Sequence, residues 1–190
     1  MPDFLVDLYR PEALDNVGST LAAVDARGTI LWVNQAWHQF ARDNGGQVDG
    51  CRSYLDGMAE PLRSVYREIL ETVLATGEVF EQDYECSSAT TIRRFRLRVL
   101  PFPPAGLLLE HTPVASHPAP IGEPAIEALY LDENGYILQC SNCRRIRRPA
   151  LPTESWVWIR DWVAHLHPRM THGLCTACAG YYYRRRRRAR

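Results

Sequence analysis

The sequence predicts an α+β protein built from two modules, and three observations lead there. Short segments with period-2 alternation flank a stretch of helical i, i+3, i+4 periodicity in the first two thirds of the chain. Seven prolines fall within residues 101–124, where composition changes abruptly. Two C-x2-C pairs, Cys140/Cys143 and Cys175/Cys178, then appear with 31 residues between them. The pattern reads as two strands, helices and three strands, followed by a small metal-binding β-hairpin/helix module.

The first strands are Leu21 to Val24 and Thr29 to Val33, joined by Asp25-Ala26-Arg27-Gly28, a hairpin signal with glycine at the tight position. Asn34 has the chemistry of an N-cap for a short helix through Trp37 and Phe40, which Asn44-Gly45-Gly46 stops. Met58, Leu62, Val65, Tyr66, Ile69, Leu70, Val73 and Leu74 fall on one helical face, and Gly77 ends that helix. Two alternating strands follow. Phe80, Tyr84 and Cys86 interleave with Glu81, Asp83 and Glu85, and Phe95, Leu97 and Val99 interleave with Arg94, Arg96 and Arg98. An antiparallel pairing sets acids against arginines on the polar face, at ~0.2–1 kcal/mol per pair. The last strand of this module is Gly106 to Glu110.

Length and composition set the class. The 190 residues are 46% hydrophobic and 23% charged, ordinary values for a globular protein. No run of 18 apolar residues is present, and Met1 to Arg10 lacks the basic and apolar regions of a signal peptide. A cytoplasmic location is therefore expected, with cysteines as ligands or free thiols rather than disulfides. The 22 arginines balance 22 acids, and there is no lysine. Residues 1–133 carry 10 Arg and 20 acids, whereas residues 134–190 carry 12 Arg and 2 acids, so the neutral sum conceals −10 and +10.

Residues Asp25 to Asn34, then Gln35-Ala36-Trp37 and Phe40-Ala41, resemble a PAS domain of the sensory-kinase type, as do Gly50 and Tyr54-Leu55-Asp56. The resemblance spans about residues 16–113 and implies a β-β-α-α-α-β-β-β order, forming a five-stranded antiparallel sheet with flanking helices. It also implies a role in sensing a ligand, redox state or light, or in dimerisation. Cys51-Arg52-Ser53-Tyr54-Leu55-Asp56 differs from the Asn-Cys-Arg-Phe-Leu-Gln run of flavin photosensors, and the helix over 58–76 has no His to serve as a haem ligand, His38 lying on the preceding helix. Haem and flavin are thus not supported, and the PAS ligand is unknown. Trp32, Trp37, Phe40, Tyr66, Phe80, Tyr84 and Phe95 either line a pocket or fill a core. In many PAS proteins an Asp-Ile-Thr junction follows the last strand. Here Pro113 stands where the Asp would be, in Glu110-His111-Thr112-Pro113-Val114, which argues against coiled-coil signalling.

The expected divisions are an extension over 1–15, the PAS domain over 16–113, a Pro-rich linker over 114–125, a cysteine module over 126–183 and an Arg-rich tail over 184–190. A two-residue gap lets each cysteine pair place two thiolates on one ion, so Cys140, Cys143, Cys175 and Cys178 predict a structural Zn²⁺ tetrathiolate. A redox dithiol would call for a thioredoxin-like βαβ context, and a catalytic zinc for an open position. His172 is expected in a supporting position behind the thiolates. The first pair is expected at the tip of a hairpin with Ile126 to Leu131 and Tyr136 to Leu138 beside Asp132-Glu133-Asn134-Gly135, and Glu154 to Leu166 reads as one helix starting after Pro152-Thr153. Cys140-Ser-Asn-Cys143-Arg-Arg-Ile-Arg147, the aromatic stretch Trp156 to Val163, and His172-Gly-Leu-Cys175 resemble a segment appended to PAS and receiver domains in bacterial signalling proteins.

Arg144, Arg145, Arg147 and Arg148, and Arg184, Arg185, Arg186, Arg187, Arg188 and Arg190 after Tyr181-Tyr182-Tyr183, leave three options open. They form a solvated charged surface, a nucleic-acid contact through phosphates and base stacking, or a dock for an acidic protein surface. No P-loop, Ser-His-Asp set, kinase or cyclase segment is evident. The expected function is a non-enzymatic sensor or adaptor in signal transduction, acting through a protein partner or a PAS homodimer and without a membrane. The alternatives are a nucleic-acid-binding regulator and a thiol/zinc redox sensor.

Overall fold

The computed structural model describes residues 14–15, 17–45, 53–103, 106–149 and 155–186, with the backbone alone for 184–186. Gly50, Cys51, Arg52, Pro152-Thr153-Glu154, Arg187, Arg188 and Arg190, singled out in the sequence, lie outside those residues, as does most of the 1–15 extension. The chain divides into two compact units: Met1–Gly57, Tyr66–Tyr84 and Arg94–Ala115, and then Met58–Val65, Glu85–Arg93 and Ser116–Arg190.

The first unit starts from a turn that its own residues dictate. One carboxylate oxygen of Asp25 accepts the backbone N–H groups of Arg27 and Thr29, both at 2.8 Å, and Gly28 takes φ +81°. That reversal joins β1 (Thr20–Val24) to β2 (Ile30–Val33). Asn34 follows and is fully buried. Its side-chain oxygen accepts from Trp37 N and Leu21 N, each at 3.0 Å, while its amide nitrogen donates to Ser19 O at 3.0 Å and Leu14 O at 3.2 Å. One side chain thus caps α1 (Gln35–Asp43) and ties it to the start of β1.

The long helix α2 (Leu62–Thr76) buries Leu62, Val65, Tyr66, Leu70 and Val73 along one stripe and ends at Gly77, φ +72°. Strands β3 (Phe80–Glu85), β4 (Thr91–Phe102) and β5 (Gly106–Pro118) complete a five-stranded sheet of order β2-β1-β5-β4-β3. Among the described residues two helices flank it, rather than the three expected. The expected acid–arginine face is present: Arg96 reaches Asp83 at 2.9 Å and Arg98 reaches Glu110 at 3.2 Å.

Strand β5 runs on to Pro118, so residues 114–118, expected to begin a linker, are strand. The β1 pairing stops at Thr20 opposite His111. Past that point β5 is an edge on that side, a place a strand tolerates proline.

The second unit contains a 3-10 turn (Glu127–Leu129) and a four-stranded sheet of order β8-β7-β6-β9. The strands are β6 (Ile137–Cys140), β7 (Ile146–Arg148), β8 (Ser155–Val157) and β9 (Met170–Gly173), with β9 parallel to β6. Two helices, α3 (Arg160–Ala164) and α4 (Thr176–Arg186), complete it. The expected single helix over 154–166 is replaced by β8 and the short α3. Trp156-Val157-Trp158-Ile159 is β-branched and aromatic, and Val157 pairs with Ile146 on β7; a short apolar run fits both periodicities. The hairpin carrying the first cysteine pair is β6–β7, while 126–131 contributes the 3-10 turn and a bridge from Leu131 to Ile137. The core of this unit joins Tyr130, Ile137, Ile146, Ile159 and Trp162. Gly122 runs against Trp158, where a Cβ would meet the Trp158 carbonyl oxygen at 2.4 Å, and Glu123 accepts from Tyr130 Oη at 2.7 Å and Arg148 at 3.1 Å.

Candidate functional site

In the second unit the β6–β7 turn presents Cys140 and Cys143, and the connection from β9 into α4 presents Cys175 and Cys178. All four side chains are buried, and their sulfurs lie within 4.8 Å of one another. Cys143 and Cys175 are 3.8 Å apart, far beyond a disulfide bond of about 2.05 Å. A tetrahedral ion with metal–sulfur bonds of ~2.3 Å separates its ligands by about 3.8 Å, so the spacing fits a tetrathiolate zinc site.

Each sulfur also receives an N–H. Cys175 N donates to Cys140 Sγ and Cys178 N to Cys175 Sγ, both at 3.4 Å; Asn142 Nδ2 donates to Cys178 Sγ at 3.3 Å, and the Arg145 backbone reaches Cys143. The thiols perturb one another. Hydrogen bonds from Cys143 and Cys178 hold Cys140 far below the ordinary thiol range, and contact with Cys140 pushes Cys143 and Cys178 above it. Four such groups ionise together only around a cation. Arg145 contributes as well: burial opposes its charge most strongly of any single cause, but its hydrogen bond to Cys143 and the nearby charges of Cys143, Glu85 and Cys175 together outweigh that and raise its pKa. Trp156 and Leu174 pack against the cluster.

Asn142, absent from the sequence-based set of site residues, is buried and links the cluster to α4, because its side-chain oxygen accepts from Tyr182 Oη at 2.9 Å. A polar residue inside the C-x2-C gap was the available signal. His172 lies half-buried on β9 opposite Gln139, and burial together with Arg144 lowers its pKa; side-chain hydrogen bonds to the sulfurs come from Asn142 and Arg145. Arg148 is engaged by Glu123 and Arg147 pairs with Trp156 across β7–β8, while Arg144 stands at φ +61° in the turn. Tyr182 is buried, whereas Tyr181 and Tyr183 are each 40% exposed on α4.

In the first unit, the aromatic residues divide between the two faces of the sheet. Trp32 pairs with Ala23 and packs with Phe102 and Leu108, on the face opposite Leu107, Leu109 and His111. It is removed from the pocket set, because residues paired in register share a face and neighbours along a strand alternate. On the inner face Phe40 meets Phe95 edge-on at 5.5 Å, Tyr84 stacks on Phe95 at 5.8 Å, and Tyr66 lies 6.4 Å from Tyr54. Phe80 shares that face with Tyr84 by alternation.

The centre of this face is His111, 6% exposed. Its Nδ1 is 2.7 Å from Tyr84 Oη and its Nε2 3.4 Å from Tyr54 Oη, and Trp37 meets its ring edge-on at 5.7 Å. Burial pushes its pKa down to about 4, so the imidazole is neutral at pH 7. Sequence reasoning assigned His111 only to the strand junction. Its position after Leu107 and Leu109 at period 2 was the signal that it faces inward.

In the first unit, helices α1 and α2 accompany a five-stranded sheet of order β2-β1-β5-β4-β3. Residues 14–111, just over half of the chain, match the PAS fold family, and the chain belongs to that family. Among solved structures it is similar to the PAS domain of Bordetella pertussis BvgS, with 17% identity over 60% of this chain and 88% of that one and a TM-score of 0.47. It is also similar to a domain of a sensory box sensor histidine kinase/response regulator from Geobacter sulfurreducens, with 16% identity over 58% of this chain and 95% of that one and a TM-score of 0.44. A search of curated proteins gave no match. No helix among the described residues is long and apolar enough to cross a membrane.

Proposed function

We propose that this chain is a cytoplasmic, non-enzymatic signal-transduction sensor or adaptor. Its PAS domain binds a ligand or a partner, and Cys140, Cys143, Cys175 and Cys178 hold a structural zinc that orders the output-contact module. The observation that carries the reading is the buried four-sulfur cluster, each sulfur supplied with an N–H, in the same chain as a PAS unit. Membership of the PAS family supports the sensory role. Four thiolate donors leave no coordination position for water, which favours a structural metal over a catalytic one.

Native mass spectrometry of the full-length protein purified from its own host tests this reading. The expected spectrum shows one zinc per chain, together with a retained small molecule, a bound partner or a homodimer. A zinc-free monomer with nothing bound would contradict it.

One observation favours a second reading, nucleic-acid binding: Tyr181 and Tyr183 are exposed on α4 where it runs into Arg184. Fluorescence polarisation with duplex and single-stranded probes separates the two. Micromolar binding at physiological salt that is lost on deleting 184–190 supports the second reading, and no binding removes it.

A further inference from the structure

Both residues in the gap between Cys140 and Cys143 reach parts of the second unit that lie far back in the chain. Ser141 Oγ donates to Glu60 O at 3.1 Å, 81 residues earlier. Asn142 Oδ1 accepts the Glu85 backbone N–H at 3.4 Å, 57 residues earlier, in addition to the Tyr182 hydroxyl. Glu60 and Glu85 belong to this unit, in its segments Met58–Val65 and Glu85–Arg93. The arginines after the gap reach the same segment. Arg145, hydrogen-bonded to Cys143, is in electrostatic reach of the Glu85 carboxylate, and Arg144 of the Cys86 thiol.

The backbone shows why Glu85 offers that N–H. β3 is an edge strand, next to β4. In an antiparallel pair, successive N–H groups point alternately toward and away from the partner strand. Cys86 N–H bonds Arg93 O across the β3–β4 turn at 3.0 Å, so the Glu85 N–H points away from β4, toward the edge. The Asn142 oxygen covers that edge donor. The turn itself is closed by Ser88 N–H to Thr91 O at 2.9 Å and Arg93 N–H to Ser87 Oγ at 3.2 Å. The other end of the Asn142 amide lies on the cluster, where Nδ2 donates to Cys178 Sγ at 3.3 Å. A metal-bound thiolate is a fixed, anionic acceptor for that donor, and a free thiol is neither.

We propose that Asn142 is a positioning residue that couples zinc occupancy to the β3–β4 turn: zinc fixes the Cys178 sulfur, the sulfur fixes the Asn142 amide, and the amide holds Glu85. This rests on the reading of the four cysteines as a zinc site and adds an element that the metal controls. Loss of zinc releases the turn at Glu85, and loss of the Asn142 amide weakens zinc, because coupling between two events is reciprocal.

The test uses full-length protein, loaded with zinc and stripped of it, followed by amide-exchange NMR and by zinc competition with a colorimetric chelator. In the wild type, stripping zinc is expected to speed exchange of the Glu85 amide at least about tenfold while amides of β1 and β5 keep their rates. Asn142→Ala at saturating zinc should free the Glu85 amide by a similar factor, leave the Cys86 amide protected, and weaken zinc binding about 10–100-fold. Asn142→Asp keeps the accepting oxygen and loses the N–H donor. At saturating zinc it should restore slow exchange at Glu85 while zinc binding stays weak, a split that general loss of structure would not give.

Equal exchange at Glu85 with and without zinc would overturn the proposal. So would an Asn142→Ala protein that keeps wild-type zinc affinity or wild-type protection at Glu85. If Asn142→Ala does not fold, the comparison of loaded and stripped wild type still decides. A chain that binds no zinc refutes the reading of the site itself, whereas a zinc-bound chain whose Glu85 amide ignores the metal refutes only the coupling.

Discussion

The two units reach an ordered interior by different routes. The PAS unit buries Leu97, Val99, Leu107 and Leu109 between a five-stranded sheet and its helices, and Asn34 and His111 are its buried polar joints. The second unit has strands of only three or four residues, and four of its buried side chains are cysteines. Small cores gain too little from apolar burial to be stable alone, and in the proposed reading the zinc supplies the difference. One region should therefore respond to composition and pH, and the other to chelation.

The largest expected separation comes from breaking the proposed metal centre. Cys175→Ser, or a strong chelator, should cost the second unit more than about 5 kcal/mol and unfold it. The PAS unit, followed through amide resonances of β1 and β5, should stay folded. Simultaneous melting of both sets of resonances would break the contrast.

Next is Asn34→Ala, which strips a buried cap of four hydrogen bonds and should destabilise the PAS unit by about 3 kcal/mol in urea unfolding, with zinc content unchanged. A loss below about 1 kcal/mol would show that water replaces those bonds.

His111 gives the pH dependence. Its folded pKa of about 4 lies below the ordinary 6.5, so between those values the unfolded chain binds the extra proton. The contribution is whole above pH 6.5 and is lost as pH falls toward 4, at most about 3 kcal/mol. Urea unfolding at pH 7 and pH 4 should show the stability gap between wild type and His111→Phe narrowing by that order; a constant gap would refute a neutral buried imidazole.

Smaller still, Arg96→Ala breaks exposed ion pairs with Glu81 and Asp83 and should cost less than about 1 kcal/mol, disappearing in high salt. A loss of several kcal/mol would mean that the charged face bears on the core.

What the sequence disclosed follows the range of the interactions. The Asp25–Gly28 turn, the Asn34 cap, the α2 stripe and the two cysteine gaps are local patterns, readable from spacing. The stretch from Trp156 to Val163 misled because a short aromatic and β-branched run satisfies both helix and strand periods. The partner strand β7 decided for β8. His111 was hidden because its partners stand 27 and 57 residues away, and Asn142 because Tyr182 is 40 residues away. Trp32 was assigned to the pocket by its aromatic character alone, which carries no information about sheet face.

The central claim is that four sulfurs and nothing else surround a metal in the second unit. Zinc-edge X-ray absorption of the purified full-length protein measures this directly. The account predicts one zinc per chain with four sulfur neighbours near ~2.3 Å. A first shell containing nitrogen or oxygen, or folded protein without zinc, would contradict it.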